Sequence, residues 1–222
     1  MNSIYLSYIL NHNTPTYGNR NRFVCEKKSD ISKNDIANDS FMSTTVHIGT
    51  HIDMPYHFFE DGQTIEKFDA DFFRFDHVLF ISIQPLNFII KEELLSKLET
   101  ILEKEKYTLL IVKTGICYKR DEKEFWDSNY GFDPSIADYI RKNFPNVRVF
   151  GFDSISVASF TDRMIGREAH RAFLNPDDPI LLLEDMNLQK VDETTKFKSI
   201  HIAPMRIAEC DGLPCTVIAE II

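Results

Sequence analysis

Residues 47–57 read His47-Ile-Gly-Thr-His51-Ile-Asp53-Met-Pro-Tyr-His57, which places three of the seven histidines and a carboxylate in one short stretch. An average stretch of that length in this chain would contain fewer than one histidine. Imidazole nitrogens and carboxylate oxygens are common protein ligands of zinc, manganese and iron(II), and a small ligand set leaves coordination positions free. The stretch therefore predicts a metal site with room for water or substrate.

The backbone of this stretch is predicted to be extended rather than helical. Two histidines four residues apart would share one helix face, as in the H-E-x-x-H proteases, but Ile48 stands where those enzymes have glutamate. Gly49 and Pro55 also disfavour a helix here. On an extended chain, side chains separated by an even number of positions point to the same side, so residues 47, 51, 53 and 57 would project from one face. A straight strand would spread them over roughly 33 Å. We therefore expect a strand that runs into a curved loop.

Histidines also occur in proteins without any catalytic metal. A single histidine is usually a surface residue or a satisfied core residue, which is the interpretation for His12, His77 and His201. For the clustered histidines, an arrangement without metal and a purely structural metal site both remain possible. Considered alone, His170 and Glu184 look like an ordinary helix residue and a strand-end carboxylate.

Composition limits the class of protein. A chain of 222 residues with 43% hydrophobic residues can build a sizeable core, and we expect a single domain over residues 1–222. The formal charge of -9 opposes binding to nucleic-acid phosphates. No apolar run approaches the length of a membrane span and the four cysteines form no C-x-x-C pair, so we expect a soluble, cytoplasmic protein without a membrane partner.

Hydrophobic periodicity predicts strands that alternate with helices, and hence a mixed α/β sheet. The clearest helix lies between two strands and has Leu94, Leu98 and Ile101 at helical spacing, together with Leu95 and Leu102. The predicted strands cover 77–83, 108–113, 147–152 and 180–184, further helices cover 134–143 and 169–174, and a hairpin surrounds Asp211-Gly212.

The polar segment from Glu26 to Ser40 has few large apolar residues. This composition predicts a loop over residues 26–40, which is a candidate mobile lid.

The 47–57 stretch resembles, position by position, the signature of the cyclase family, which includes bacterial kynurenine formamidase and isatin hydrolase. Five further segments resemble this family in the same order: Val112-Lys-Thr-Gly115, Gly151-Phe-Asp-Ser154, Ala169-His-Arg171, Leu183-Glu184 and Ala203-Pro-Met-Arg-Ile207. The resemblance implies an α/β fold of the swivelling β/β/α type, with a mixed, mainly β, barrel-like central sheet flanked by helices.

The resemblance also implies a site with one or two divalent metal ions per chain, zinc or manganese. It assigns one ion to His47, His51, Asp53 and Glu184, and the second to Asp53, His170 and Glu184. His57 would be the general acid/base. The implied activity is hydrolysis of a carbon–nitrogen bond in a small amide, formamide or cyclic amide, by a homodimer or homotetramer.

The substrate is less well defined than the reaction. Tyr17, Phe58 and Phe59 are candidate substrate contacts, but Tyr17 stands where kynurenine formamidases tend to carry tryptophan, so N-formylkynurenine is not a firm assignment. Residues 175–179 also make the spacing from His170 to Glu184 longer than is usual in the family. The alternatives are a lactone or imide hydrolase, a cyclase or dehydratase on the same site, and a catalytically silent metal-binding protein.

Overall fold

The fold was obtained as a computed structural model, which describes residues 2 to 222. The strands are β1 (Asn2–Tyr5), β2 (Val24–Ser29), β3 (Asp39–Ser43), β4 (His51–Asp53), β5 (Arg74–Phe75), β6 (Val78–Ser82), β7 (Ile89–Ile90), β8 (Leu109–Lys113), β9 (Gly131–Phe132), β10 (Val149–Phe152), β11 (Leu181–Glu184), β12 (Phe197–Pro204) and β13 (Gly212–Ile221). The α-helices are α1 (Glu92–Glu99), α2 (Glu124–Asp127), α3 (Ser135–Asn143) and α4 (Arg163–Phe173).

One mixed sheet of nine strands forms the centre of the molecule. Its order is β5-β12-β13-β4-β11-β10-β8-β6, with β1 paired to β13. The strands β6, β8, β10 and β11 are parallel, and the remaining pairs are antiparallel. The sheet curves into a nearly closed barrel with few helices around it, which confirms the predicted single-domain α/β fold.

The central parallel strands form where the sequence has continuous apolar runs. All five residues of β8 and all four of β11 are buried, as expected for parallel strands that are covered on both faces. The helix predicted from the leucines between Leu94 and Leu102 corresponds to α1, and the helix predicted at 134–143 corresponds to α3, but α1 ends at Glu99 and leaves Leu102 80% exposed. Within residues 2–222, none of the helices has the length and apolar character needed to cross a membrane.

The prediction of a loop over residues 26–40 needs correction. Its two ends belong to β2 and β3, which pair with each other as an antiparallel hairpin outside the main sheet. Nearly all side chains of both strands are exposed, so they lack the alternation of buried and exposed residues by which a half-buried strand is recognised. The mobility of this segment, and its role as a lid, remain predictions.

The strand β4 determines where the candidate site lies. Its three residues are buried between β13 and β11, so both of its edges are paired. In this register His51 lies opposite Glu184, and Asp53 lies opposite Gly212. The chain then turns through a short 3-10 helix, Pro55–His57, so the expected strand covers only three residues, with His47 before it and His57 in the turn that follows.

The helix α4 is longer than predicted. It begins at Arg163, six residues before the predicted start at Ala169, and Asp162 caps it by accepting a hydrogen bond from the backbone N–H of Ile165. The helix presents His170 on the side that faces the end of β4, where it approaches Asp53.

Candidate active site

The residues predicted as metal ligands or as the acid/base surround one cavity of about 280 Å³. They are His47, His51, Asp53, His57, His170 and Glu184. Tyr17 and Phe58, two of the predicted substrate contacts, line the same cavity. Phe59 is not among the lining residues and packs against the main hydrophobic core instead.

A larger groove of about 1070 Å³ runs beside β1. No histidine or carboxylate is among the described residues that line this groove. The smaller cavity is therefore the candidate active site, because histidines and carboxylates line it and do not line the larger groove.

His51 is oriented to offer a lone pair to the site. Its Nδ1 donates a hydrogen bond to the backbone carbonyl of Gly49 over 2.8 Å, which directs Nε2 toward the carboxylates. That Nε2 lies 3.4 Å from Asp53 Oδ1 and 3.3 Å from Glu184 Oε2. Gly49 has a φ of +56°, a left-handed conformation that glycine adopts without strain, and this places its carbonyl beneath the ring.

His170 repeats this arrangement on the opposite wall. Its Nδ1 donates to the carbonyl of Gly166, one turn earlier in α4, over 2.8 Å. Its Nε2 lies 3.6 Å from Asp53 Oδ2 and 3.9 Å from Glu184 Oε1. Burial lowers the pKa of His170, so the neutral ring presents a lone pair to the carboxylates.

These donors fit a divalent cation. Asp53 Oδ2 is buried and has no hydrogen-bond partner among the described residues. A buried oxygen without a partner is costly, and a lone pair that faces a carboxylate is repelled unless a positive charge lies between them. Burial alone would raise the pKa of Asp53, but the nearby histidines hold it below its usual range, so the carboxylate is ionised. Neutral imidazole nitrogens and ionised carboxylates are the forms that bind metal.

His47 is held between two carboxylates. Its Nδ1 lies 2.8 Å from Asp53 Oδ1, and its Nε2 lies 2.8 Å from Asp211 Oδ2. Burial alone would lower the pKa of His47, but these carboxylates raise it to about 10, so the metal-free protein carries a proton at this position. A Cβ on Gly212 would lie 2.4 Å from His47 Cε1, so only glycine leaves room for the ring.

Asp211 is a site residue that was not predicted from the sequence, where its segment was interpreted only as a hairpin turn. Its Oδ2 accepts hydrogen bonds from both His47 and His57, the latter from Nδ1 over 2.9 Å. These two hydrogen bonds hold the pKa of Asp211 far below its usual range. Asp211 directly precedes Gly212 at the start of β13, and it reaches the site because β13 pairs with β4. No local sequence signal predicts that pairing.

Among residues 2–222, three groups of side chains have ligand atoms that lie within 4.8 Å of one another. These groups are His47-His51-Asp53, Asp53-His57-His170 and His47-His57-Asp211. The group His47-His51-Asp53 contains three of the four ligands predicted for one ion. The group Asp53-His57-His170 contains two of the three ligands predicted for the other ion, and Glu184 is the predicted ligand that both groups lack. The second group also places His57 close enough to act as a ligand.

The outer wall of the cavity combines aromatic and cationic groups. Phe58 stacks on His170 with ring centroids 4.5 Å apart and an angle of 13° between the planes, so it helps to fix the His170 ring. Tyr17 packs edge-on against Phe160 at 5.4 Å. Arg163 and Arg167 also line the cavity, and they were not among the predicted site residues because they lie before the helix predicted at 169–174.

Comparison with known proteins gave one family and a set of distant relatives. The family model described as "Putative cyclase" matches residues 4–159. The "Kynurenine formamidase" of Bacillus cereus is 26% identical over 211 residues, which are 95% of this chain and 93% of that protein. "Cyclase-like protein 3" of Oryza sativa subsp. japonica is 26% identical over 184 residues, or 80% of this chain. The chain spans only 64% of that plant relative.

Solved structures share the fold at low sequence identity. "Isatin hydrolase A" from Labrenzia aggregata, bound to benzyl benzoate, superposes with a TM-score of 0.80 at 20% identity, over 98% of this chain and 93% of that chain. The structure of a potential metal-dependent hydrolase with cyclase activity gives a TM-score of 0.76 at 18% identity, over 98% and 96% of the two chains.

Proposed function

The chain belongs to the cyclase family, and from that premise we propose that it is a metal-dependent hydrolase of a carbon–nitrogen bond in a small amide, formamide or cyclic amide. The observation that carries this proposal is the arrangement of His51 and His170, whose Nε2 atoms face the buried carboxylates of Asp53 and Glu184 at the base of a cavity. The names of two relatives, a kynurenine formamidase and an isatin hydrolase, support hydrolysis of an amide bond.

The proposed metal ligands follow from the donor positions. One ion is assigned to His47, His51, Asp53 and Glu184, and a second to Asp53, Glu184 and His170, with zinc or manganese as the metal. A bound divalent cation of this kind polarises a carbonyl group and makes water acidic enough to attack it near neutral pH. The protein supplies the remaining requirements, which are a fixed ligand geometry, a proton carrier and a pocket that orients the substrate.

His57 is the proposed proton carrier. It lines the cavity, and its Nδ1–H donates to Asp211, which leaves Nε2 as the nitrogen that exchanges a proton with the reactants. An imidazole nitrogen can accept the proton of the attacking water and then deliver it to the departing nitrogen. The carboxylate of Asp211 fixes the tautomer and stabilises the imidazolium that forms between these two transfers.

Cyclic amides are a distinct substrate class within this proposal, and lactones and imides are the second candidate class. One protein with the same fold is named as an isatin hydrolase, and isatin is a cyclic amide. The volume of about 280 Å³ is at the lower limit of ordinary ligand pockets, so the substrate is small in either case. We also propose a homodimer or homotetramer as the working form.

The test is metal analysis of protein purified without chelators, paired with hydrolysis of formanilide, N-formylkynurenine and isatin before and after metal removal. We expect one or two zinc or manganese ions per chain, and turnover that is lost on chelation and restored by the metal. Metal-dependent opening of isatin without cleavage of the formamides would assign the cyclic class. Absence of bound metal after incubation with zinc and manganese would refute the proposal.

A further inference from the structure

The helix that carries His170 also carries two arginines along the same wall of the cavity. Arg163, Arg167 and His170 are at positions i, i+4 and i+7, which form one stripe on an α-helix, and all three line the cavity. With a rise of 1.5 Å per residue, Arg167 lies about 4.5 Å and Arg163 about 10.5 Å from His170 along the helix axis. The stripe therefore runs from the buried His170 to two exposed arginines.

Neither arginine is paired with a carboxylate. Among residues 2–222, no Asp or Glu oxygen lies within 4.0 Å of the guanidinium of Arg163 or Arg167, and both residues are exposed. Arg163 lies beside the Tyr17 hydroxyl and over the Phe160 ring, at 5.7 Å from its centroid. By contrast, Arg120 forms a buried ion pair with Asp185 at 2.6 Å.

Arg163 and Arg167 differ from other unpaired arginines in the described part of the chain, such as Arg171, because they line the cavity. The chain has 34 acidic and 25 basic residues, so carboxylates are available to pair with surface arginines. Two guanidinium groups on one wall of a reactive cavity are available to an anion that enters from solvent. A guanidinium matches a carboxylate through two parallel N–H···O hydrogen bonds, which favours this anion over a neutral group.

We propose that Arg163 and Arg167 bind an anionic group of the substrate, so that the preferred substrate is a small amide or formamide that carries a carboxylate. The kind of bond that is cleaved rests on the proposed function, whereas the anion site rests on the positions of Arg163 and Arg167 in the cavity. The carboxylate would lie roughly 5–10 Å from the bond that is cleaved, by the helix spacing. The side chains of Phe58, Ile155 and Ala158 line the cavity and provide apolar contacts for the body of the substrate.

Two pairs of ring compounds test this proposal on the full chain loaded with metal. The reactive pair is 4-formamidobenzoate and 4-formamidobenzamide, compared by kcat/KM. The unreactive pair is 4-aminobenzoate and 4-aminobenzamide, compared by calorimetric dissociation constants. Members of each pair differ only in the charge of the para group. We expect a preference of roughly 10- to 100-fold for the carboxylate in each pair, as is typical of hydrogen bonds to a charged group.

The double variant Arg163→Gln/Arg167→Gln should reduce this ratio to near one. Arg171→Gln is the matched control, because Arg171 is an exposed arginine on the same helix that is not among the lining residues, and its ratio should equal that of the wild type. Circular dichroism and melting curves establish that each variant is folded. A carboxylate preference that persists in the double variant would place the anion elsewhere, against the metal for example, and would overturn the proposal.

The two proposals fail in different ways. Suppose that both formamides are hydrolysed and that the ratio of their kcat/KM values is the same in the wild type and in all variants. That result would support the proposed hydrolase activity and refute the anion site. An arginine-dependent preference for 4-aminobenzoate, without hydrolysis of either formamide, would preserve the anion site and eliminate amide hydrolysis.

Discussion

At the scale of single residues, the carboxylate of Asp211 joins two histidines with different proposed tasks. It accepts hydrogen bonds from His47, a proposed metal ligand, and from His57, the proposed proton carrier. Such a carboxylate controls the tautomer and the orientation of its partners, and loss of a group of this kind typically costs 10- to 100-fold in metal affinity or activity.

We therefore predict that Asp211→Asn lowers kcat by roughly 10- to 100-fold. The asparagine side chain is similar in size to the aspartate side chain, but it lacks the negative charge that stabilises a protonated His57. Steady-state kinetics with saturating metal would measure this effect, and metal titration would separate it from weaker binding at His47. Unchanged kcat in the variant would show that Asp211 has no part in proton transfer.

The ligands and the proton carrier should respond differently to truncation. We predict that His51→Ala loses bound metal, whereas His57→Ala retains metal and loses turnover by about 10²- to 10⁴-fold. Elemental analysis and kinetics on the same preparations distinguish the two outcomes. His201→Ala, which removes an exposed histidine outside the site, is the control and should change neither quantity. Metal loss in His57→Ala would instead make His57 a ligand, as its distance to Asp53 and His170 allows.

The proton on His47 links metal binding and stability to pH. Its pKa is about 10 in the metal-free fold, against an ordinary value of 6.5. A raised pKa of this kind stabilises the metal-free fold fully below pH 6.5, and the contribution is lost as the pH rises through about 10. Metal must displace this proton, so metal affinity should rise over the same range.

We predict that urea unfolding of the metal-free protein shows falling stability from about pH 6.5 to 10. His47→Gln should flatten this dependence, because glutamine cannot bind the proton. A wild-type profile that is flat over this interval would contradict the assignment of a shared proton between His47 and the two carboxylates.

At the scale of elements, the site depends on how closely β13 approaches the loop before β4. A Cβ on Gly212 would lie 2.4 Å from the His47 ring, so Gly212→Ala should push this ligand out of place. Overpacking of this kind typically costs 1–3 kcal/mol. If the same range of energies is lost from metal binding, we predict a loss of metal affinity of roughly 5- to 160-fold. Thr216→Ala, at an exposed position of β13, is the control, and equal affinity in both variants would refute the prediction.

The elements also show what sequence alone can predict. The strands β8 and β11 were predicted because both faces are buried and their apolar runs are continuous, whereas β2 and β3 were not, because their side chains are mostly exposed. Within the site, the 47–57 stretch could be identified from local spacing. Asp211 could not, because it contacts His47 across 164 positions and only the pairing of β13 with β4 brings them together.

At the scale of the whole molecule, the central sheet and the β2–β3 hairpin differ in how their strands are paired. The strand β8 lies between two parallel neighbours in the core, whereas β2 and β3 pair only with each other. We predict that amides of the β2–β3 hairpin exchange with solvent much faster than those of β8, as mass spectrometry of deuterium uptake would show. Equal protection of the two regions would indicate that the hairpin is covered, by a second copy of the chain for example.

The position of β4 in the sheet has a consequence for biosynthesis. Strand β4 is made early, but its partners β11 and β13 leave the ribosome more than a hundred residues later. Until then the nascent chain holds His47, His51 and Asp53 without the carboxylates of Glu184 and Asp211. The proposed metal site is therefore complete only after Glu184 and Asp211 have left the ribosome, and a ribosome stalled before residue 184 would carry a chain that lacks both carboxylates.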